Sequence, residues 1–360
     1  MPAPSNRKVS KVREDPALQG VPSASIRPRV LIVCPRVVAT FTRQDLGILQ
    51  SEFDASLFPF EGITSLRCLR REINSSDAVV IWFAGRHAGP AIWFARQREI
   101  PVITIVGGYE SVWIPEIHYG IPVRSLRGRI LRRVLKHSNA VVAVSEATKR
   151  GLSARYPEII PKTTRISNAV DTRCFRPSAE GSRQGVLSVG IINHTTVKVK
   201  GWRLFWETAA RLPDVPFIAV GQAVDREGRD LVSRRPPNLL WLGGRYGEDL
   251  VRQYQTASVY FQGSMYESFS LALAESMSCG CVPVVSRNGA LPEVAGDVGY
   301  YLDDLSVESA VKAINEALQT PHERRTAARQ RIVEHFDYER RREALCGLVR
   351  GTIARSHRGR

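Results

Sequence analysis

The sequence predicts an α/β protein with two doubly wound domains, each built on a parallel sheet. Short apolar runs of strand length alternate with longer helical stretches along most of the chain, which is typical of such sheets. The length of 360 residues suits two domains of ordinary size. Hydrophobic residues make up 43% and charged residues 24% of the chain, as in soluble globular proteins.

The first domain is predicted over residues 27–178. It is preceded by residues 1–26, which mix Pro, Ser, Lys and Arg without periodicity and indicate a disordered basic arm. Apolar runs predict buried strands in this domain. The expected strands are 29–35, 78–83, 102–106 and 140–145, and a helix is expected over 146–155.

The second domain is predicted over residues 179–335, again from apolar runs of strand length. Its expected strands are 185–190, 216–221, 239–243, 258–261 and 282–285. A final helix is expected over 338–354, followed by a basic tail at 355–360.

Residues 266–286 form the most informative segment, a loop, a helix and a strand. Glu267 and Glu275 are eight residues apart, which in a helix gives a rise of about 12 Å and slightly more than two turns. Ser268 or Ser270 can cap the helix, which leaves free N–H groups for an anion. A nucleotide sugar has its anionic and hydroxyl groups at this scale. The alternative is an ordinary amphipathic helix with a solvated Glu275.

The spacing in this segment is specific. It reads Glu267-x-Phe269-Ser270-x4-Glu275, then Met277-x-Cys279-Gly280-x-x-Pro283-Val284-Val285, and a Pro-Glu turn follows within 288–294. The combination resembles the signature of family 4 retaining glycosyltransferases. That resemblance implies the GT-B fold, in which two Rossmann-like domains face a cleft. It also implies that the C-terminal helix, here 336–360, crosses back to the first domain.

The resemblance also implies a donor site for a nucleotide sugar, mostly on the second domain. The residues expected to bind the donor are Gly190, Lys200, Arg245, Glu267, Phe269, Ser270, Leu271 and Glu275, and Lys200 and Glu267 are the catalytic candidates. Lys200 matches the lysine that contacts the diphosphate. The family usually carries Arg after the strand-end glycine, where this chain has Ile191. Lys198 or His194 is the candidate replacement for that missing charge.

The acceptor side is expected on the first domain, where this chain departs further from the family. The candidate residues are His87, Gly107, Gly108, Glu110 and His118. Val106 stands where many members have a histidine. The two glycines allow the backbone to approach a ligand closely. For both histidines a structural role is the competing interpretation.

The net charge of +16 indicates an anionic partner. Residues 124–136 are the most basic stretch and have the pattern of an amphipathic helix. This helix suits an anionic membrane surface that holds a lipid-linked acceptor, and the alternative is a solvated face packed on its own sheet. Nucleic acid is not expected as a partner, since no nucleic-acid-binding module accompanies the charge.

Other sequence features bear on location and cofactors. The six cysteines lack paired metal spacing, and no apolar run reaches the length of a membrane span. We therefore expect a cytoplasmic protein, peripheral at the inner membrane face if the basic helix binds lipid. No cofactor is expected, and the resemblance implies transfer without a metal.

The function predicted from the resemblance is retaining transfer of a sugar from a UDP- or GDP-sugar to a hydroxyl of a glycan or a lipid-linked acceptor. One alternative is a nucleotide-sugar epimerase or hydrolase on the same fold. The other is a degenerate GT-B protein that binds or scaffolds without turnover, which the departures at Ile191 and Val106 leave open.

Overall fold

The structure is a computed structural model that describes residues 27–178 and 182–358. The predicted disordered arm at 1–26 lies outside the described residues. Residues 179–181, beside the predicted domain boundary, and residues 359–360, at the end of the predicted basic tail, are also outside them.

The first half of the chain alternates strands with helices. Its strands are Arg29–Pro35 (β1), Asp54–Phe60 (β2), Ala78–Trp82 (β3), Val102–Val106 (β4), Trp113–Ile114 (β5), Tyr119–Gly120 (β6), Ala140–Ala143 (β7) and Thr163–Arg165 (β8). Its α-helices are Thr40–Gln50 (α1), Leu66–Asn74 (α2), Ala88–Arg96 (α3), Leu126–His137 (α4) and Glu146–Arg155 (α5). Short 3₁₀ helices lie at Ile63–Ser65, Tyr109–Ser111, Pro115–Ile117 and Pro157–Lys162.

The second half repeats this alternation. Its strands are Gln184–Val189 (β9), Phe217–Val220 (β10), Leu239–Trp241 (β11), Ala257–Gln262 (β12), Val282–Val285 (β13) and Tyr300–Tyr301 (β14). Its α-helices are His194–Val199 (α6), Trp202–Arg211 (α7), Arg226–Ser233 (α8), Gly247–Thr256 (α9), Leu271–Ser278 (α10), Leu291–Ala295 (α11), Val307–Leu318 (α12), His322–Phe336 (α13) and Tyr338–Arg358 (α14). A 3₁₀ helix lies at Gly296–Val298.

Within the described residues, the long strands form two parallel sheets. The first has the order β2-β1-β3-β4-β7-β8 and the second has the order β11-β10-β9-β12-β13-β14. The central strands are buried on both faces because helices cover them from both sides. The prediction of two doubly wound α/β domains is confirmed.

The strand orders locate the switch points, where ligands bind in doubly wound sheets. In the second sheet the order in which strands are added reverses between the parallel neighbours β9 and β12, so the loops after these two strands lie side by side. In the first sheet the reversal falls between β1 and β3. The loop after β12 contains Glu267, and the loop after β3 leads to His87.

Helix α14 follows directly on α13 and packs against the first sheet. Leu345, Cys346 and Val349 join the core that covers β1 and β3. The chain passes between the two domains twice, after β8 and again between α13 and α14. Val170, in the first connection, forms a β-bridge with Asp337, in the second. The helix runs to Arg358, so the expected basic tail is helical over 355–358.

A buried ion pair fixes α14 to α1. Arg341 donates to both oxygens of Asp45, at 2.6 and 2.7 Å, and also to the carbonyl oxygens of Ile166 and Ser167. Asp45 in addition accepts from the Trp82 indole N–H at 2.8 Å. The charges at this contact are therefore satisfied inside the protein.

The basic stretch 124–136 forms α4 almost as predicted. Leu131, Val134 and Leu135 pack into the core of the first domain, while Ile130 and Leu126 stay exposed. No helix in the described part of the chain is long and apolar enough to cross a membrane.

Candidate active site

The loop after β12 is built around the side chain of Gln262. Its amide Nε2 donates to Glu267 at 2.6 Å, and its Oε1 accepts from the Ser270 hydroxyl at 2.6 Å. Gln262 is 4% exposed, so both hydrogen bonds are shielded from water. The Gln262 amide therefore fixes Glu267 and the helix start at Ser270 relative to each other.

Lys200 and Glu267, the two predicted catalytic residues, are in contact. The Lys200 Nζ lies 3.0 Å from Glu267 Oε1, the oxygen that also accepts from Gln262. The Lys200 side chain is 34% exposed and that of Glu267 is 9% exposed. Lys200 is thus partly accessible to a ligand, whereas Glu267 is almost fully buried.

Two glycines allow this arrangement because the backbone approaches too closely for a side chain. Gly289 has φ +61°, and a Cβ there would lie 2.1 Å from the carbonyl oxygen of Glu267. Gly201 has φ +73°, and a Cβ there would lie 2.2 Å from the carbonyl oxygen of Gly263. Both positions therefore require glycine. Gly201 allows Lys200 to lie beside the loop after β12, and Gly289 allows the loop after β13 to pack against Glu267.

Helix α10 begins at this site. Ser270 caps it, as predicted, and its hydroxyl accepts from the Leu273 N–H at 3.4 Å. Ser270 has φ +71°, a left-handed conformation that is costly for a residue with a side chain. Its hydrogen bond to Gln262 compensates part of that cost. The helix N-terminus adds partial positive charge beside Lys200.

Glu275 lies a little more than one turn into α10, rather than the expected two, because the helix starts at Leu271. Its Oε2 accepts from the Tyr254 hydroxyl at 3.0 Å. Burial raises the pKa of the Glu275 carboxyl to about 7, and the Tyr254 hydrogen bond opposes this shift. Glu275 is therefore a partly buried acceptor, not a solvated surface carboxylate.

The remaining predicted donor residues differ in how they are placed. A Cβ at Gly190 would lie 3.6 Å from the Lys200 Cδ, so this glycine borders the lysine. Arg245 is partly exposed, and its guanidinium donates to the carbonyl oxygen of Gly244. Leu271 is half-buried at the first position of α10.

The side chain of Phe269, a predicted donor contact, is buried in the core. Phe269 is 1% exposed, and its ring packs against Phe336 with centroids 5.3 Å apart. Its aromatic side chain anchors the loop to the core, which is why the loop can hold Glu267 in place.

His194 and Lys198, the candidate replacements for the arginine missing at Ile191, both lie in α6. Ile191 is 55% exposed, and its carbonyl oxygen accepts from the Trp202 indole N–H. His194 is tied to Asp225, whose carboxylate accepts from the His194 backbone N–H at 2.8 Å, and Lys198 is an exposed residue of α6. Among the predicted cations, only Lys200 contacts Glu267 in the described structure.

His87, an acceptor-side candidate, has the environment of its competing interpretation, a structural histidine. It is 3% exposed, and its Nε2 lies 2.8 Å from the carbonyl oxygen of Trp82. Burial lowers the pKa of its ring, which favours the neutral form. His118 is exposed at the turn between β5 and β6 and packs edge-on against Trp113, 6.1 Å between ring centroids.

The glycine pair after β4 lies close to protein atoms of both domains. A Cβ at Gly107 would lie 2.0 Å from the Phe83 ring, and one at Gly108 would lie 2.1 Å from the Ser268 Cβ. Glu110 follows them and accepts from the Ala84 N–H at 3.0 Å. Burial raises the pKa of the Glu110 carboxyl. Glu110 therefore holds the loop after β4 against the loop after β3. Glu110 also lines a cavity on the first domain.

The two domains touch beside the Lys200–Glu267 contact. The hydroxyls of Ser111 and Tyr266 are 2.9 Å apart, and Ser268 meets Gly108. Glu293, in the Pro-Glu turn, accepts from the Glu146 N–H and from Arg165, at 2.8 and 3.0 Å. The residues next to Glu267 thus form part of the contact with the first domain.

Sequence reasoning missed Gln262, Tyr254 and the Tyr266–Ser111 contact. Gln262 and Tyr254 lie before the matched motif, in a strand and a helix whose patterns indicate only burial. A glutamine at the end of an apolar strand was the one signal for Gln262. The Tyr266–Ser111 contact joins residues 155 positions apart and has no local signature.

Family models match both halves of the chain. The model described as Glycosyltransferase Family 4 matches residues 28–173, and the one described as Glycosyl transferases group 1 matches residues 186–334. The chain belongs to the group 1, family 4 glycosyltransferases. The predicted family is thereby confirmed.

The curated relatives are distant. One component of the phosphatidylinositol N-acetylglucosaminyltransferase of Arabidopsis thaliana is 26% identical over 59% of this chain and 49% of its own length. GDP-mannose-dependent alpha-mannosyltransferase of Mycobacterium tuberculosis is 24% identical over 64% of this chain and 61% of its own length. The matches thus span about half to three fifths of these two relatives.

Solved structures give the same fold. The structure of Anabaena Alr3699/HepE in complex with UDP-glucose aligns with a TM-score of 0.74 at 13% identity. The alignment covers 90% of this chain and 100% of the Anabaena chain. At that identity the likeness concerns the fold alone. The fold of this chain is GT-B, as predicted.

Proposed function

We propose that the protein is a retaining glycosyltransferase that moves a sugar from a UDP- or GDP-sugar to a hydroxyl of a glycan or lipid-linked acceptor. The observation that carries this proposal is the contact of Lys200 with Glu267 at the switch point of the second sheet, beside the N-terminus of α10. Cationic groups and free N–H groups at such a position suit a diphosphate.

In the proposed complex each group has one role. Lys200 and the N-terminus of α10 bind the donor diphosphate, and Glu275 accepts hydrogen bonds from the ribose hydroxyls. Glu267, oriented by Gln262, accepts from hydroxyls of the transferred sugar. The names of the relatives support a nucleotide-sugar donor, since one names GDP-mannose and one fold neighbour contains UDP-glucose.

The proposed reaction uses the leaving group as the base. The bond from the anomeric carbon to the phosphate oxygen breaks, and its electron pair stays on the diphosphate. The acceptor oxygen bonds to the same face of the anomeric carbon and gives its proton to the departing phosphate oxygen. Lys200 and the α10 N-terminus stabilise the developing charge. We propose that these positive groups suffice without a metal ion.

The acceptor is proposed to lie on the first domain. Phosphatidylinositol in the name of a relative supports a lipid as one acceptor class. The exposed Leu126 and Ile130 on basic helix α4 support contact with an anionic membrane surface.

Thermal unfolding with nucleotides tests the donor site. UDP, GDP, ADP and their common sugar conjugates are added at pH 8, where the Glu275 carboxyl is mostly ionised. One nucleotide class should stabilise the protein by about 2.7 kcal/mol at roughly 100 times its Kd. Glu275→Ala should weaken that binding about 10- to 150-fold, the value of a charge-assisted hydrogen bond.

Glu248→Ala, at an exposed position of α9, is the matched control and should bind as the wild type does. The donor assignment fails if no nucleotide raises Tm, or if Glu275→Ala responds like the control. Nucleotide binding without turnover across acceptors would instead favour the scaffold alternative, for which the exposed Ile191 is the specific observation.

A further inference from the structure

Two cavities meet on the first domain between α3 and α4. A cavity of about 450 Å³ begins beside the cleft and is lined in part by Phe83, Arg86, Tyr109, Glu110 and Arg127. A second cavity of about 580 Å³ continues along the same helices and is lined in part by Ile92, Trp93, Arg96, Arg133 and Val134. Ile130 lines both cavities, so they are adjacent, and together they are called the α3–α4 trough here.

The inner end of this trough lies next to the proposed reaction centre. Tyr109 and Glu110 line it, and they directly follow Gly108 in the chain. Gly108 meets Ser268, the neighbour of Glu267. A molecule in the inner cavity therefore starts where the two domains touch and runs outward, away from the donor site.

The inner end also carries unbalanced positive charge. Arg86 and Arg127 are exposed, and no ion pair involves either of them in the described part of the chain. The carboxyl that lines the same cavity, Glu110, is buried, and its raised pKa favours the uncharged form. Two guanidinium groups without an ion-pair partner at one cavity are suited to a phosphate.

The outer end is apolar. Trp93 is 59% exposed and Ile130 is 47% exposed, and the buried Ile92 and Val134 form the wall between them. Large exposed apolar side chains that line one groove indicate a hydrocarbon ligand. Arg96 and Arg133 border this groove and can extend their charged ends to lipid headgroups.

We propose that the α3–α4 trough binds a phosphate-bearing lipid, with the phosphate at Arg86 and Arg127 and the hydrocarbon chain over Ile130 and Trp93. This inference rests on the proposed glycosyltransferase function and narrows its acceptor to a lipid-linked one. The order of the groups fits transfer, because the polar end of the lipid lies toward the cleft. Binding of one lipid molecule in this trough is distinct from general electrostatic attraction of helix α4 to a membrane.

Binding of farnesyl monophosphate to the full chain tests this proposal. Tryptophan fluorescence reports it, since a chain lying over Trp93 should shift its emission to the blue, and the shift should be absent in Trp93→Phe. Arg86→Gln/Arg127→Gln should weaken binding at least about tenfold, because both charged hydrogen bonds to the phosphate are lost. Ile130→Glu should also weaken binding, because it places a charged side chain where the hydrocarbon chain is proposed to lie.

Arg124→Gln/Arg129→Gln is the matched control, since it removes the same charge from exposed positions that do not line the trough. It should change binding less than about twofold. Farnesol and inorganic phosphate, which carry only one half of the ligand, should each bind at least about tenfold more weakly than farnesyl monophosphate.

Equal losses of binding affinity in the two double variants would overturn the proposal of a specific site in the trough and would indicate general electrostatic attraction to the surface. Farnesol binding as tightly as farnesyl monophosphate, an emission shift that persists in Trp93→Phe, or no binding would also overturn it. The assay needs no donor or turnover, and nucleotide-induced stabilisation is measured on the same variants. Failure of the trough is therefore distinguishable from failure of the donor site.

Discussion

The two motif carboxylates of the site, Glu267 and Glu275, are held in different electrostatic environments. Glu267 accepts from Gln262 and pairs with Lys200, whereas Glu275 accepts from the neutral Tyr254 hydroxyl. Burial is the reason that the Glu275 pKa is raised to about 7. The ionised Glu275 carboxylate can thus accept hydrogen bonds, but its burial lowers the free energy of unfolding.

That cost predicts the pH dependence of Glu275→Gln. The folded pKa of about 7 exceeds the usual value of 4.5, so the stability associated with this carboxyl is present at low pH and lost as pH rises to about 7. Glu275→Gln should therefore unfold at a higher temperature than the wild type at pH 8. The gain should be on the order of 2 kcal/mol there and vanish near pH 4.5.

Thermal unfolding of both proteins across pH 4.5 to 8 measures this difference. Glu248→Gln, at an exposed position, should give a curve parallel to that of the wild type. A Glu275→Gln protein that is less stable than the wild type at pH 8 would show that the carboxylate stabilises the fold.

At the residue scale, the motif selected two residues that the structure brings into contact. The contact between Lys200 and Glu267 joins two residues that the family resemblance selected. The burial of His87 and Phe269 could not be predicted, because residue type and position do not reveal packing by distant parts of the chain, such as Phe336 in α13 over Phe269. Gln262 was missed because its role depends on side chains brought together by the loop, Glu267 and Ser270.

At the scale of elements, the apolar runs predicted the buried central strands closely. β4 and β13 have the predicted bounds, and helix α5 does also. β2 was missed because it is an edge strand whose residues are mostly only half-buried, and it contains Pro59. β8 is three residues long, too short for a periodic signal.

The contact between helices α1 and α14 predicts a large effect of breaking one ion pair. Asp45→Asn leaves the buried Arg341 without its countercharge and should destabilise the protein by about 3–5 kcal/mol. Urea unfolding followed by tryptophan fluorescence measures this, since Trp82 donates to Asp45. Asp45→Asn/Arg341→Met should recover part of the loss, because no unpaired charge stays buried.

An exposed pair at α12 serves as the control. Asp303 and Lys312 are 3.2 Å apart, with their side chains 71% and 65% exposed. Asp303→Asn should therefore change stability by less than about 1 kcal/mol. If Asp45→Asn costs no more than Asp303→Asn, the buried pair does not hold α14 in place.

At the scale of the whole molecule, the site joins both domains. Tyr266 contacts Ser111 across the cleft, next to Glu267, and Glu293 contacts Glu146 and Arg165. The GT-B fold and the cleft followed from the motif and the alternation of strands and helices. The contacts that set how the domains meet could not be predicted, because they depend on tertiary packing between residues far apart in the chain.

The central claim is that the donor site around Lys200 transfers a sugar with retention. The most direct test is ¹H NMR of the anomeric protons while the protein slowly hydrolyses an α-linked donor, UDP-glucose or GDP-mannose, with water in place of the acceptor. The α-anomer should appear first, and Lys200→Ala should slow its release by roughly a hundredfold. First release of the β-anomer, or an unchanged rate in Lys200→Ala, would contradict the claim.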